Sequence, residues 1–374
     1  MRPIASFIVG FCLAALALEA VLRCLPVSTG YAMGGVDEHN PIMRGEPHFH
    51  YVYSKNWNLR LANSGSLNNF GFRASQDYVP NARAVLVVGN SFVSADAIEP
   101  GQNMTESLGR LLGRPAYALG ADGSSLADYV AAAQWGAATF WSASATHSSI
   151  ALVLLTTGDL DRTCLPRAGG HYLRFDGAGI SDELWPKANP SRSKRLLNQS
   201  MLFRYLLDNL HAAGNWRLFN GSGQETPGTP PPAAATAHRR VSCASPEYLQ
   251  HATDYLLDSF RHFQEQHQAT VVFAVAPGYR AEQNYASWAM RDIDVFAQRA
   301  RAAGFGVVSF DQEFASALRT GNRLDFDPID GHWNKRANAI AAHAVADFIK
   351  SAESMATIPS PAGTSSINGR RSTH

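Results

Sequence analysis

Charge is scarce in this sequence. Asp, Glu, Lys and Arg make up 17% of the 374 residues, the formal net charge is +1, and no dense run of lysine or arginine occurs. A protein that neutralises phosphates shows a basic patch or stripe, so nucleic acid is not an expected partner. Cysteine is scarce as well. The four, Cys12, Cys24, Cys164 and Cys243, form no CxxC and no Cys/His spacing of the zinc type. His48 and His50 in "PHFHY" have H-x-H spacing but no third ligand beside them, so no metal site is expected there. Internal repeats are absent too. What is present is 45% hydrophobic residues, enough to bury a core in one large domain or two ordinary ones.

One long apolar run exists, at the amino terminus. "IASFIVGFCLAALALEAVL", Ile4 to Leu22, contains a single charge, Glu19, and approaches the roughly 20 residues that cross a bilayer. Its apolar residues occupy every helical face, which an amphipathic core helix would not do. Residues 1–26 are therefore expected to be a retained membrane anchor, with the bulk of the protein periplasmic or otherwise outside the cytoplasm. The alternative is a signal peptide cut after the small residues of "ALALEA". In an oxidising compartment Cys164 and Cys243, the pair outside the anchor, are free to bridge.

Residues 27–80 read as an extended, loop-rich lead-in, with turns at Gly65 and Gly71 in "SGSLNNFGFR". From there a different rhythm begins. Apolar strands ("AVLVVGN", "AYALGADG", "SIALVLLTTGD", "ATVVFAVAP", "GFGVVSF") alternate with helical stretches such as "NMTESLGRLLG" and "SLADYVAAAQWGA". That alternation predicts an α/β domain over 81–354, a three-layer α/β/α sandwich around a central parallel sheet. An insertion over about 161–242 interrupts it. This insertion has a helical part ("SKRLLNQSMLFRYLLDNLHAAG") and a Gly/Pro-rich loop ("NGSGQETPGTPPPAAATAH"). Residues 355–374 have the composition of a disordered tail.

The stretch "VLVVGNSFVSAD" runs a buried strand straight into Gly89-Asn90-Ser91. A serine there sits at the carboxyl edge of the sheet, where open α/β folds place their ligands. A serine hydroxyl needs a base, and the base needs a group that holds its tautomer. "FDPIDGHWNKRANAIAAHAVADFI" supplies both in Asp330 and His332, just ahead of the last amphipathic helix, with Asp327 as a competing acid. The oxyanion formed on attack needs preset donors. The backbone amides of Ser91 and of Gly123 in "LGADGSS" are suited to that, and "TTGDLD" offers a third position at Thr157 and Gly158.

These pieces, in this order, resemble the SGNH/GDSL hydrolase family over roughly residues 65–350. Ser91 in "VGNSFV" matches the serine block, with Asn90 where Asp is usual. Gly123 in "ALGADG" matches the glycine block, and "DGHWN" matches the block that supplies acid and base. "NNFGFR" (Asn68 to Arg73) is similar to an N-x-x-G-F-R element of membrane-anchored, cell-envelope members. Two departures stand out. Gly158 occupies the place of the asparagine whose amide completes the family's oxyanion hole, and the acid and base are spaced Asp-x-His where Asp-x-x-His is common. The resemblance implies a three-layer fold, Ser91 as nucleophile, His332 as base, Asp330 as acid, and no metal or organic cofactor. It implies ester cleavage through an acyl-enzyme, on O-acetylated envelope carbohydrate. The same site would serve an O-acyltransferase, and the lost asparagine leaves room for a catalytically weak glycan-binding or assembly component.

Overall fold

The computed structural model describes residues 2–30, 33–141, 149–176, 179–210, 245–277, 288–326 and 328–356. Its centre is a five-stranded parallel sheet of β3 (Val85–Gly89), β4 (Ala116–Gly120), β5 (Ile150–Leu155), β8 (Thr270–Val275) and β9 (Gly306–Ser309) in the order β4-β3-β5-β8-β9. The five apolar runs are these five strands. Although β3 and β5 are buried at every position, their side chains still alternate between faces. Leu86, Val88, Val153, Leu155 and Phe273 enter one core with Phe140, Phe260 and Phe263. Val85, Val87, Leu152, Leu154 and Val272 enter the other with Leu108, Phe314 and Val345.

The helices supply the two outer layers. On the first face lie α4 (Leu126–Phe140) and α7 (Pro246–His267); α3 (Met104–Leu112), α9 (Asp311–Arg319) and α10 (Lys335–Ala356) cover the second. Each fully buried Val, Leu or Phe contributes about 1.5–3 kcal/mol relative to exposure, so this double core dominates stability. The strand order reverses between β3 and β5, so residues following β3 emerge at the crevice of the sheet.

The lead-in is more structured than its composition suggests. β1 (His50–Lys55) and β2 (Arg60–Ser66) form an antiparallel hairpin. "NNFGFR" then makes a tight turn in which Asn68 Oδ1 accepts from the N–H groups of Phe70 and Phe72. Gly71 has φ +81°, and a Cβ there would lie 1.9 Å from the Gly45 carbonyl oxygen, so a side chain is excluded. Arg73 is buried. It donates to the carbonyls of Ala95 and Ile98 and to Tyr51 Oη, and pairs with Asp96 at 3.7 Å.

The expected insertion contains a second hairpin that the sequence reading missed, β6 (Gly170–Phe175) with β7 (Ile180–Trp185). Its helical part is broken into α5 (Arg192–Leu197), α6 (Met201–Arg204) and a wide turn at Tyr205–Asn209. The Gly/Pro-rich loop, Asp327 and residues 357–374 lie outside the described residues. Cys164 is disulfide-bonded while Cys12 and Cys24 are free; its expected partner Cys243 is also outside the described residues. At the amino terminus, α1 (Arg2–Leu22) holds a 20-residue stretch, Pro3–Leu22, of mean hydropathy 2.3, long and apolar enough to cross a membrane.

Candidate active site

β3 ends at Gly89, and the chain turns at once into the short helix α2 (Ser91–Ser94). Glycine is needed here because a Cβ at 89 would meet Val93 Cγ2 at 2.5 Å. Asn90 caps the new helix, its Oδ1 accepting from Phe92 N–H at 3.0 Å, so the Ser91 hydroxyl is presented at the sheet edge. There it meets His332, whose Nε2 lies 2.7 Å from Ser91 Oγ. On the far side of the ring, Nδ1 is 2.5 Å from Asp330 Oδ1. With Nδ1–H donating to the carboxylate, Nε2 is left to accept the serine proton.

The two-residue spacing of acid and base has a local cause. Asp330 Oδ1 also accepts from the His332 backbone N–H at 3.0 Å, closing an Asx-type turn that aims the carboxylate at its own neighbour's ring. Asp330 to Trp333 form a short strand, β11, paired with β10 (Asp325–Phe326). Phe92 packs against the His332 ring at 5.0 Å between centroids, and Trp333 is wedged among Phe92, Phe310 and Phe314.

The outer oxygen of Asp330 is held from the β1–β2 hairpin. Tyr53 Oη donates to Asp330 Oδ2, and Lys55 Nζ lies 3.9 Å from the same atom. Burial tends to raise the Asp330 carboxyl, but the His332 hydrogen bond and charge, and then Tyr53, hold it well below the usual carboxylate range. Burial tends to lower the His332 imidazole; the Asp330 hydrogen bond and charge outweigh it, with Asp122 and Asp96 adding to them, and the ring is raised above its ordinary value. Burial, then the bond to Asp330, pushes the Tyr53 phenol up, so it stays a donor. Tyr53 and Lys55 were missed by the sequence reading. The aromatic and β-branched run Tyr51-Val52-Tyr53 was the available signal for the strand that carries them.

The expected oxyanion positions divide into two groups. Among the described residues, no acceptor takes the backbone N–H of Ser91 or of Gly123, which leaves both as donors. Gly123 follows β4 in a left-handed turn with φ +72°. Beside it, Asp122 accepts from Ser94 Oγ at 3.1 Å, and Ser94 Oγ in turn reaches the Ser91 carbonyl at 3.3 Å. The protein on its inner side and then the Asp96 charge push the Asp122 carboxyl above its ordinary value, although the residue is exposed. Thr157 and Gly158 make no hydrogen bond to Ser91 or His332 among the described residues. A Cβ at 158 would find Asp161 Oδ1 and Arg162 Nε as its first neighbours.

Asp159 is the buried anchor of that third turn. Its carboxylate accepts from Thr156 N–H at 2.7 Å, Asn90 Nδ2 at 2.9 Å and Arg162 Nη2 at 2.8 Å. Burial raises it to about 6, against the opposing Arg162 charge. A cavity of about 830 Å³ opens next to α2, with Ser94, Asp122, Arg44, Arg167 and Lys187 in its wall. Among the described residues, no group of three or more His, Cys, Asp or Glu side chains could hold a metal ion.

No family model and no curated protein matches the chain. Solved structures of similar fold include a lipolytic protein of the G-D-S-L family from Veillonella parvula, at 10% identity and TM-score 0.38, covering 71% of this chain and 96% of that one. Another is an acetyl xylan esterase from Butyrivibrio proteoclasticus, at 9% identity and TM-score 0.36, covering 78% and 67%. A third is a carbohydrate esterase family 2 enzyme with a carbohydrate-binding domain from Corynascus thermopiles, at 11% identity and TM-score 0.36, covering 78% and 71%.

Proposed function

We propose that the chain is an SGNH-type serine esterase, held at a membrane by α1 and acting outside the cytoplasm on acylated carbohydrate. The observation that supports this is the unbroken relay from Ser91 Oγ through His332 to Asp330, at 2.7 and 2.5 Å. In the reaction, Ser91 Oγ attacks the ester carbonyl while Nε2 takes its proton. The negative charge on the carbonyl oxygen is met by the N–H groups of Ser91 and Gly123. Collapse breaks the ester bond, the imidazolium returns the proton to the departing sugar hydroxyl, and the acyl group remains on Ser91. Water, activated by the same base, then releases the acid. An O-acetyl group is the proposed acyl group, and the cavity beside α2 is the space offered to the sugar.

The test is a fluorophosphonate label on the full-length chain in detergent or nanodiscs, read by mass spectrometry, with acetyl ester turnover measured alongside. Label on Ser91 and loss of both signals in Ser91→Ala are expected, with turnover falling at least about a thousand-fold. A folded Ser91→Ala chain with wild-type turnover overturns the reading. Product analysis with an added acceptor glycan separates hydrolysis from acyl transfer to a sugar hydroxyl.

A further inference from the structure

Glu19 is the single charge between Ile4 and Leu22, and it lies three residues before the end of the apolar stretch. At about 1.5 Å per residue its Cα is roughly 5 Å inside that end, a depth where an unpartnered carboxylate is costly against lipid. It is not unpartnered. Its oxygens accept from Ser200 Oγ at 2.8 Å, Met201 N–H at 3.1 Å, Leu202 N–H at 2.9 Å and Arg23 Nε at 3.0 Å. Residues 200–202 therefore share the depth of Glu19, and whatever flanks them is carried to the membrane surface.

What flanks them is amphipathic. α5 exposes Leu196 at 67% and Leu197 at 51%, together with Arg192, Lys194 and Arg195. Leu206 is exposed on the following turn, where Tyr205 Oη donates to the Trp57 carbonyl at 2.6 Å. Trp57, at the tip of the β1–β2 hairpin, is itself 71% exposed. Leucine and tryptophan interleaved with arginine and lysine is the composition of a segment lying in a lipid interface.

We propose that residues 192–206 and Trp57 form a collar bedded in the bilayer that holds α1, its leucines and tryptophan at the acyl boundary and its basic residues on anionic headgroups. The proposal rests on α1 being a retained anchor. Continuity with α1 through Glu19 selects the bilayer as occupant, and Arg192 and Arg195 of α5 select anionic lipid, Lys194 lying in the wall of the cavity beside α2. The collar also reaches the hairpin that holds Asp330, because Asn209 Nδ2 donates to Ser54 Oγ at 2.9 Å. The site is thereby held at one height above the membrane.

The test uses the full chain in vesicles of phosphatidylcholine with and without phosphatidylglycerol. A nitroxide is placed by Leu197→Cys in a Cys12→Ser/Cys24→Ser background, with Leu13→Cys in α1 and Asp258→Cys on α7 as references. Collisional access to oxygen at 197 is expected to exceed access to a water-soluble nickel chelate, as at 13 and opposite to 258. Access at 197 like that at 258, with 13 still in lipid, overturns the collar and leaves the anchor standing. Water access at 13 overturns the anchor and the collar with it. Trp57→Phe gives a second readout: the emission it removes is expected to be quenched by brominated lipid, and absence of quenching counts against the collar. Phosphatidylglycerol is expected to raise oxygen access at 197, and in Arg192→Gln/Arg195→Gln that rise is expected to disappear; its persistence removes the headgroup assignment.

Discussion

Asn90 shows how one side chain adjusts a motif. Its amide nitrogen donates to Thr156 Oγ1 at 2.6 Å and to Asp159 Oδ1 at 2.9 Å, while its oxygen caps α2. Both Asn90 and Asp159 are buried, so a carboxylate at 90 would face another carboxylate with no water between. Asn90→Asp is therefore expected to lower stability by on the order of 3 kcal/mol near neutral pH. Asp159 is already raised to about 6, and a second acid lifts the pair further above the unfolded value, so the folded variant takes up a proton as pH falls. The deficit shrinks toward pH ~5, which urea unfolding at several pH values would register; a pH-independent deficit would contradict the carboxylate pair. His332 gives a second prediction at this scale. In the proposed mechanism the His332 ring must be neutral to take the serine proton and its pKa is raised, so kcat/KM should rise with pH through a midpoint above the ordinary ~6.5. Asp122→Asn removes one of the charges that raise it, and the limb should move to lower pH.

At the scale of elements, the β1–β2 hairpin matters because it reaches across to the acid. Tyr53→Phe keeps the ring and removes the donor to Asp330 Oδ2. A hydrogen bond to a charged group contributes about 1.5–3 kcal/mol, so a loss in kcat of about tenfold or somewhat more is expected, with KM little changed. Lys55→Met should cost less, a few-fold at most, since Lys55 is partly solvated and 3.9 Å away. Steady-state kinetics on the two variants would rank them, and an equal or reversed effect would remove Tyr53 from its positioning role. The hairpin also marks what was legible in the sequence. The five sheet strands stood out because each is an uninterrupted apolar run between glycine-rich turns, and Ser91, Asp330 and His332 stood out by their place at strand and helix ends. β2, "RLANSGS", carries no such signal: its burial alternates but its residues are small and polar, and it is a strand because β1 pairs with it. The helical stretch from 193 to 214 read as one helix and breaks instead at Asn198 to Ser200, where Ser200 caps the next turn and reaches Glu19. That break follows from a contact 181 residues away, which no local pattern encodes.

At the scale of the whole molecule, the segment after α1, the broken helical stretch and the β1–β2 hairpin meet at one buried residue. Asn209 accepts from Ser28 N–H at 3.0 Å and donates to Ser54 O at 3.3 Å and Ser54 Oγ at 2.9 Å, joining the chain just after α1, the end of the broken helical stretch, and β1. It is 2% exposed, so its truncation leaves buried polar groups without partners. Asn209→Ala is expected to lower stability by about 2–3 kcal/mol and, with Ser54 released next to Tyr53, to lower kcat as well. Two routes to that kinetic loss are distinguishable. A general loosening would reduce turnover by the same factor in any background. An effect transmitted through the hairpin would act by displacing the Tyr53 hydroxyl from Asp330, and that route is already closed in Tyr53→Phe. The double variant decides between them: the kinetic penalty of Asn209→Ala should largely vanish in the Tyr53→Phe chain while its thermal destabilisation persists. Additive kinetics would sever the hairpin from the insertion as a functional unit and leave Asn209 with a purely structural role.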